Sequence, residues 1–161
     1  TDAERQADED NPRGYYEHEK VKSLQHDASW LPDALGHALK VIAQLLPSLP
    51  AGLSLRVIFM ERSIQEILRS QQAMLSRSGE EGSHLSPERL AAIYSKQLAE
   101  SKKMLEQRGI PTLVVPYKQA VENPVPVFAQ VNTFLGGQLN QDAMSKTVDQ
   151  TLYRQKLRHA K

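Results

Sequence analysis

The chain has no cysteine, few aromatic residues and almost no net charge. Without cysteine it can form no disulfide, thiolate zinc site or iron–sulfur cluster, and it has no cysteine nucleophile. Lys and Arg number 20 against 19 Asp and Glu, and without a basic block the sequence lacks the phosphate-binding surface of nucleic-acid-binding proteins. No apolar run approaches the roughly 20 residues that cross a bilayer. No signal peptide opens the sequence, so we expect a cytoplasmic protein.

What is present is the composition of a folded globular protein. The 161 residues are 40% hydrophobic and 24% charged, and this length suits one domain over residues 1–161. Residues 1–14 are acidic and then turn-forming, with nothing apolar to bury, so we expect them to be flexible. Residues 15–24 have the composition of a short helix.

Two short apolar stretches separated by helical patterns favour a parallel sheet. Residues 53–60 contain four consecutive apolar residues and residues 112–117 contain three, most of them strand-favouring, which predicts strands buried on both faces. Helices are expected from Ser63 to about Ser76 and from 87 to 108 between the strands. Further helices are expected from 124 to 135 and 141 to 148. This alternation predicts an α/β fold with helices on both faces of the sheet.

The two central helices carry recognisable start and stop signals. Ser63 with Glu66 three residues later predicts a capping box. Ser86 followed by Pro87 predicts an N-cap and a first helical residue. Gly109 is the expected end of the second helix.

The junction between the first strand and its helix is the expected site of chemistry. Ligands of parallel sheets bind at the carboxyl ends of the strands, and the N-terminus of a helix attracts phosphate or sulfate. Arg62 lies at this junction and can add charge-assisted bonds to an oxyanion. Ser70 lies seven residues after Ser63, on the same side of the helix. The alternative is that Arg62 is a solvated surface charge and Ser70 an ordinary helix residue.

The segment VIFMERSIQEILRSQQAML resembles the 3′-phosphate-binding segment of sulfotransferases that use 3′-phosphoadenosine 5′-phosphosulfate (PAPS). In that family an arginine ends a strand and a serine follows eight positions later, which are the places of Arg62 and Ser70. A second segment, from Tyr117 to Gly136, is similar to the family block that opens on Tyr-Glu-Asp and closes on Phe-Leu-Gly. The resemblance implies that Tyr117 borders the adenine.

The resemblance extends from about residue 11 to 154 and includes departures from the family pattern. Lys118 and Gln119 replace the family's acidic pair. Arg154 is implied near the 3′-phosphate because family members place a late basic residue there, and a surface role is the alternative. The acceptor pocket is implied to involve the loop around residues 77–86.

The glycine-rich loop that holds the 5′-phosphosulfate in this family does not occur in the sequence. The resemblance implies that it lies upstream of Thr1, so that the fold is an incomplete three-layer α/β/α sheet of the P-loop sulfotransferase type and this chain alone is inactive. In this family a Lys-x-His motif lies on a strand that the apolar run at residues 38–45 resembles, which implies a strand there. Lys40 matches the lysine of the motif, but Ile42 replaces the histidine. Lys40 is therefore a candidate for neutralising charge on the transferred group, and the alternative is a strand-end lysine that reaches solvent. The open candidates for a base are His18, Glu17, Glu19 and His84.

For the complete protein, the resemblance implies sulfuryl transfer from PAPS to a hydroxyl or amine, with 3′,5′-adenosine bisphosphate as the product. The acceptor is implied to be a small molecule, a glycan or a peptide. One alternative is a non-catalytic binding or assembly module on the same scaffold. A small-molecule kinase suits the sequence less well, because ATP lacks the 3′-phosphate. The spacing of the histidines does not match that of metal ligands. A sheet edge left uncovered by missing upstream elements would favour self-association of this chain.

Overall fold

The computed structural model describes residues 7–8, 11–79 and 82–154, and these divide into two compact units. The first unit comprises the described residues up to Ser54 together with Lys96–Met104. The second comprises the described residues of Leu55–Ser95 together with those from Leu105 onward. Most of the segment 1–14, expected to be flexible, lies outside the described residues, as does the sequence beyond residue 154.

The first unit is built from short 3₁₀ helices and irregular segments. Its 3₁₀ helices span Glu19–Ser23, Leu31–Ala34 and Ala43–Ser48. The expected helix over 15–24 is therefore reduced to a single short 3₁₀ element. The buried apolar side chains of this unit are Val21, Leu24, Trp30, Leu31, Leu45, Leu46 and Leu49.

The segment around Lys40 is not the strand that the family resemblance implied. Residues 38–42 are irregular and lead into the 3₁₀ helix at Ala43. Ile42 is 48% exposed, and no described strand pairs with this segment. A strand needs a hydrogen-bonded neighbour, so the apolar run alone does not produce one.

The second unit contains the predicted parallel strands. Strand β1 (Val57–Glu61) and strand β2 (Thr112–Pro116) pair in register, with Phe59 opposite Val114 and Met60 opposite Val115. The mixed α/β class with a parallel sheet is thus confirmed, as a two-stranded sheet within the described residues.

The expected burial of both strands on both faces is wrong. On one face Phe59 is buried while its partner Val114 is 40% exposed, and on the other face Val115 is buried while Met60 is 50% exposed. Side chains alternate between the faces of a strand, so each face is covered over one strand only. The described residues do not supply a complete helical layer for either face.

The helices of the second unit follow the predicted pattern closely. Helix α1 is Ile64–Ser78 and helix α2, which also contributes residues to the first unit, is Pro87–Gln107. The amide of Arg89 donates to the Ser86 side-chain oxygen (3.3 Å), which confirms the predicted N-cap. After α2, Gly109 has φ 63° and the amides of Gly109 and Ile110 bond back to the helix, as in a glycine-terminated helix.

Three shorter helices follow β2: α3 (Tyr117–Glu122), α4 (Pro124–Phe134) and α5 (Gln141–Lys146). The start of α4 at Pro124 is confirmed, whereas α3 was not predicted. Ala120, Val127 and Val131 from α3 and α4 are buried in one cluster with Val115 of β2. This cluster places the start of α3, and therefore Tyr117, directly at the carboxyl end of β2. Among the described residues, none of the helices combines the length and the hydrophobicity that a membrane span requires.

Candidate anion-binding site at the end of strand β1

Arg62 directly follows the last residue of β1, and Ser63 separates it from the first residue of α1, so that it lies at the strand–helix junction as the sequence predicts. Its side chain is 23% exposed, and its Nε donates to Glu66 Oε2 at 3.2 Å. The two residues are four positions apart, so the pair joins the end of the strand to the first turn of the helix. This pairing fixes the guanidinium by its inner nitrogen.

The start of α1 does not form the predicted capping box. Ser63 is the N-cap residue, but its side chain accepts no backbone hydrogen bond and its hydroxyl lies 3.4 Å from Gln65 Oε1. Glu66 is 5% exposed and its two oxygens accept from Arg62 and from the hydroxyl of Tyr153 (2.7 Å). A buried carboxylate requires strong donors, and a charge-assisted bond to a guanidinium exceeds one to a neutral amide. The Glu66 carboxylate therefore binds Arg62 and Tyr153 instead of the backbone amide of Ser63.

Two tyrosine rings enclose the guanidinium. The central carbon of Arg62 lies 4.9 Å from the ring centroid of Tyr117 and 5.6 Å from that of Tyr153. The two rings meet edge to face, with centroids 5.3 Å apart and planes at 86°. These distances fall within the range of cation–π attraction. We refer to Arg62, Glu66, Tyr117 and Tyr153 as the Arg62 cluster.

The terminal amino groups of Arg62 are the open part of this cluster. Within the described residues, neither Nη group has a hydrogen-bond partner, although Nε is bonded to Glu66. A guanidinium has five N–H donors, so four remain for a ligand or water. Such a group, held at one nitrogen and partly exposed at the others, can bind an oxyanion with two parallel hydrogen bonds.

Tyr153 acts as a donor because its phenol stays protonated. Burial, the hydrogen bond to Glu66 and the charge of Glu66 together raise the pKa of Tyr153 to about 12. The side chain is 4% exposed. At neutral pH the phenol of Tyr153 is therefore uncharged. Arg62 is then the cation that pairs with Glu66 in this cluster.

Ser70 lies on the same side of α1 as the cluster. It is half-buried and four residues after Glu66, so that the two lie one above the other, about 6 Å apart along the axis. The structure thus brings Arg62 and Tyr117 into contact and places Ser70 one turn beyond Glu66. Arg154 is exposed and directly follows Tyr153 in the chain.

Lys40 belongs to the first unit. Its amine lies 3.2 Å from Glu17 Oε1, and its side chain is 58% exposed. Of the other residues proposed as a base, His18 stacks on Trp30 with ring centroids 4.8 Å apart. Glu17 and His18 are therefore engaged with neighbours, and Glu19 begins a 3₁₀ helix.

Sequence reasoning missed two members of the Arg62 cluster. Glu66 was assigned to a capping box, and Tyr153 lies in a polar C-terminal segment without periodicity. A glutamate four residues after the strand-end arginine was the available signal for the first. An isolated tyrosine beside Arg154 carried no comparable signal.

Within the described residues, no group of three or more histidine and carboxylate side chains could hold a metal ion. No family model matches this chain, and comparisons with curated proteins and with solved structures found no match.

Proposed function

We propose that the Arg62 cluster binds the 3′-phosphate of an adenosine nucleotide. The observation that supports this is a guanidinium fixed by Glu66 at Nε, enclosed by two tyrosine rings, with both Nη groups without a partner among the described residues. A phosphate suits this arrangement because it accepts two parallel N–H bonds. Ser70, on the same side of α1, supplies a further hydroxyl donor.

The role of Tyr117 follows from its position at the start of α3. Its ring is half-buried and already packs against Arg62. An aromatic ring beside a phosphate-binding arginine offers a flat surface for a purine. Nucleotide base and 3′-phosphate are thus bound by adjacent side chains from two different elements.

The function we propose for the complete protein is sulfuryl transfer from PAPS to a hydroxyl or amine. In that reaction the bond from sulfur to the 5′-phosphate oxygen breaks, a bond from sulfur to the acceptor forms, and the acceptor loses a proton. The residues present fit the 3′-phosphate and adenine half of the donor. None of them forms the glycine-rich loop for the 5′-phosphosulfate, so this chain's proposed contribution is binding and orientation of the nucleotide.

The second candidate is a non-catalytic nucleotide-binding module. It is favoured by the segment around Lys40, where Ile42 replaces the family's histidine and no strand is formed. Lys40 is also paired with Glu17. A protein with this arrangement would bind 3′,5′-adenosine bisphosphate without transferring a sulfuryl group.

Binding is tested by titrating the 161-residue chain with 3′,5′-adenosine bisphosphate and with adenosine 5′-monophosphate, followed by protein NMR. We expect weak binding that prefers the bisphosphate, because only that ligand carries the 3′-phosphate. Arg62→Ala should lower the affinity for the bisphosphate by about tenfold or more and abolish the preference. Arg69→Ala, at an exposed arginine of the same helix, and Lys118→Ala should preserve it.

Equal affinity for the two nucleotides, or equal losses in the three variants, would contradict the assignment. The catalytic and non-catalytic candidates are separated by incubating the gene product that contains these residues with PAPS and a panel of phenols, alcohols and amines. Release of 3′,5′-adenosine bisphosphate together with a sulfated acceptor supports the enzyme. Arg62-dependent nucleotide binding without transfer supports the module.

A further inference from the structure

The first unit contains a cavity of about 340 Å³ that the proposed function does not use. This volume lies at the lower end of the range for small-molecule sites, about 300–1,000 Å³. Aromatic or imidazole rings and lysine amines dominate its polar lining, which includes Tyr16, His18, Lys20, Trp30, His37 and Lys40. We refer to it as the Trp30 cavity.

A flat, fixed ring system forms part of the lining. The His18 ring lies parallel to Trp30, at an interplanar angle of 5° and a centroid distance of 4.8 Å. Trp30 is 5% exposed and its indole N–H donates to the Asp27 carbonyl at 3.1 Å. An anchored indole with an imidazole stacked on it offers a surface on which a planar ligand can pack. Tyr16, which is 63% exposed, adds a third ring.

The two histidines of the cavity have opposite hydrogen-bonding roles. The Nδ1 of His18 accepts from the Lys20 amide (3.2 Å), so the neutral ring carries its proton on Nε2 and donates there. The Nδ1 of His37 lies 3.2 Å from the Leu35 carbonyl, which can only accept, so its neutral ring has the lone pair on Nε2. In their neutral forms, the two histidines that line the cavity therefore supply one Nε2 donor and one Nε2 acceptor.

The charges that line the cavity favour an anion. Lys20 and Lys40 each present an ammonium with three N–H donors. Lys40 is held by Glu17 at 3.2 Å, which leaves further donors on the same nitrogen. Asp33 is the one carboxylate among the described lining residues.

We infer that the Trp30 cavity binds a small planar aromatic carboxylate that carries an N–H or O–H donor on its ring. The ring packs against His18, the carboxylate accepts from Lys20 and Lys40, and the ring donor bonds to His37 Nε2. This inference does not depend on the nucleotide site, because every residue it uses lies in the first unit.

The test uses the one tryptophan of the chain, whose indole N–H gives a single NMR resonance from within the cavity lining. The chain is titrated with 4-aminobenzoate, benzoate, cyclohexanecarboxylate and the neutral 4-aminobenzamide. We expect a saturable shift with 4-aminobenzoate and about fivefold weaker binding of benzoate, which lacks the ring donor. Cyclohexanecarboxylate and 4-aminobenzamide should bind more weakly still, because one lacks the flat ring and the other the charge.

Variants assign these preferences to residues. Lys20→Ala and Lys40→Ala should each weaken 4-aminobenzoate binding by about three- to tenfold, whereas the exposed Lys103→Ala should not. His37→Ala should make the affinities for 4-aminobenzoate and benzoate equal, and His26→Ala should leave the difference intact. Circular dichroism checks that each variant is folded. A shift that does not saturate, equal binding of cyclohexanecarboxylate, or unchanged affinity in both lysine variants would overturn the inference.

Discussion

The Arg62 cluster and the Trp30 cavity organise their cations in different ways. Arg62 is fixed by a carboxylate that is itself buried and accepts from Tyr153, so its position depends on residues far apart in the sequence. The lysines of the Trp30 cavity extend from irregular backbone and 3₁₀ turns, and Lys40 is 58% exposed. The first arrangement holds the guanidinium between a buried carboxylate and two tyrosine rings. The second relies on the stacked rings of His18 and Trp30 for its rigidity.

The largest effects should come from truncating a fully buried leucine in each unit. Leu24 of the first unit and Leu105 of the second are 2% and 1% exposed, so Leu24→Ala and Leu105→Ala should each lower the free energy of unfolding by about 3 kcal/mol. Urea unfolding measures both, with Trp30 fluorescence reporting on the first unit and circular dichroism on the chain.

Leu35→Ala, at a leucine that is 55% exposed, is the control and should change stability by less than about 0.5 kcal/mol. A cost below about 1 kcal/mol for Leu24→Ala would show that the first unit is loosely packed. The stacked rings of His18 and Trp30 would then not give the Trp30 cavity a rigid wall.

The next largest effect is a pH dependence of the free energy of unfolding, which should arise from Tyr153 of the Arg62 cluster. The pKa of Tyr153 is raised from 10.0 to about 12 in the folded protein, so between these values the unfolded state binds fewer protons than the folded state. The associated stability, about 2–3 kcal/mol, is complete below about pH 10 and is lost as the pH rises through about 12. Denaturant unfolding across this range measures the loss.

Lysines also titrate in this range, so the diagnostic quantity is the difference between the wild type and Tyr153→Phe. The variant has no phenol to ionise and should show a shallower decline. Parallel declines in the two proteins would mean that the Tyr153 hydroxyl is not bound to Glu66 in solution.

Removing the buried carboxylate should have a somewhat smaller effect. Glu66→Ala leaves the Tyr153 hydroxyl without its acceptor and Arg62 without its ion pair, and we expect a loss of about 2 kcal/mol in unfolding free energy. Because the Arg62 side chain is partly exposed, water can solvate its unpaired charge, which limits the loss of unfolding free energy. The matched control is Glu100→Ala, which removes an exposed ion pair with Lys96 at 3.8 Å and should cost less than about 0.5 kcal/mol.

Nucleotide binding gives Glu66→Ala a second readout. Without its carboxylate, Arg62 loses its fixed position but keeps its charge, so the preference for 3′,5′-adenosine bisphosphate should fall less than in Arg62→Ala. Equal losses in the two variants would indicate that positioning, rather than the charge itself, accounts for the preference.

The strands and the two long helices of the second unit could be predicted because their signals are local. The apolar runs of β1 and β2, the Ser86–Pro87 start and the Gly109 stop each determine structure within a few residues. The same logic placed Arg62 at the strand–helix junction. Position alone, however, did not reveal which groups would surround its guanidinium.

Glu66 and the first unit show where local signals fail. A glutamate at this position can serve either a cap or an ion pair, and the choice depends on Tyr153, which is 87 residues away in the chain. In the first unit, 3₁₀ turns leave no helical or strand period to recognise. The Trp30 cavity forms where such turns bring His18 and His37 to one lining, a proximity that no spacing rule indicated.

The smallest effect concerns the two helix starts. The Ser86 oxygen accepts from the Arg89 amide, so Ser86→Ala should lower the free energy of unfolding by about 1 kcal/mol. Ser63 makes no such bond, and Ser63→Ala should cost only a few tenths of that. Denaturant unfolding of both variants gives the comparison. Equal costs would mean that Ser63 caps α1 in solution, and a capping box there would draw the Glu66 carboxylate back to the Ser63 amide. The guanidinium of Arg62 would then lose the anchor on which its preorganisation depends.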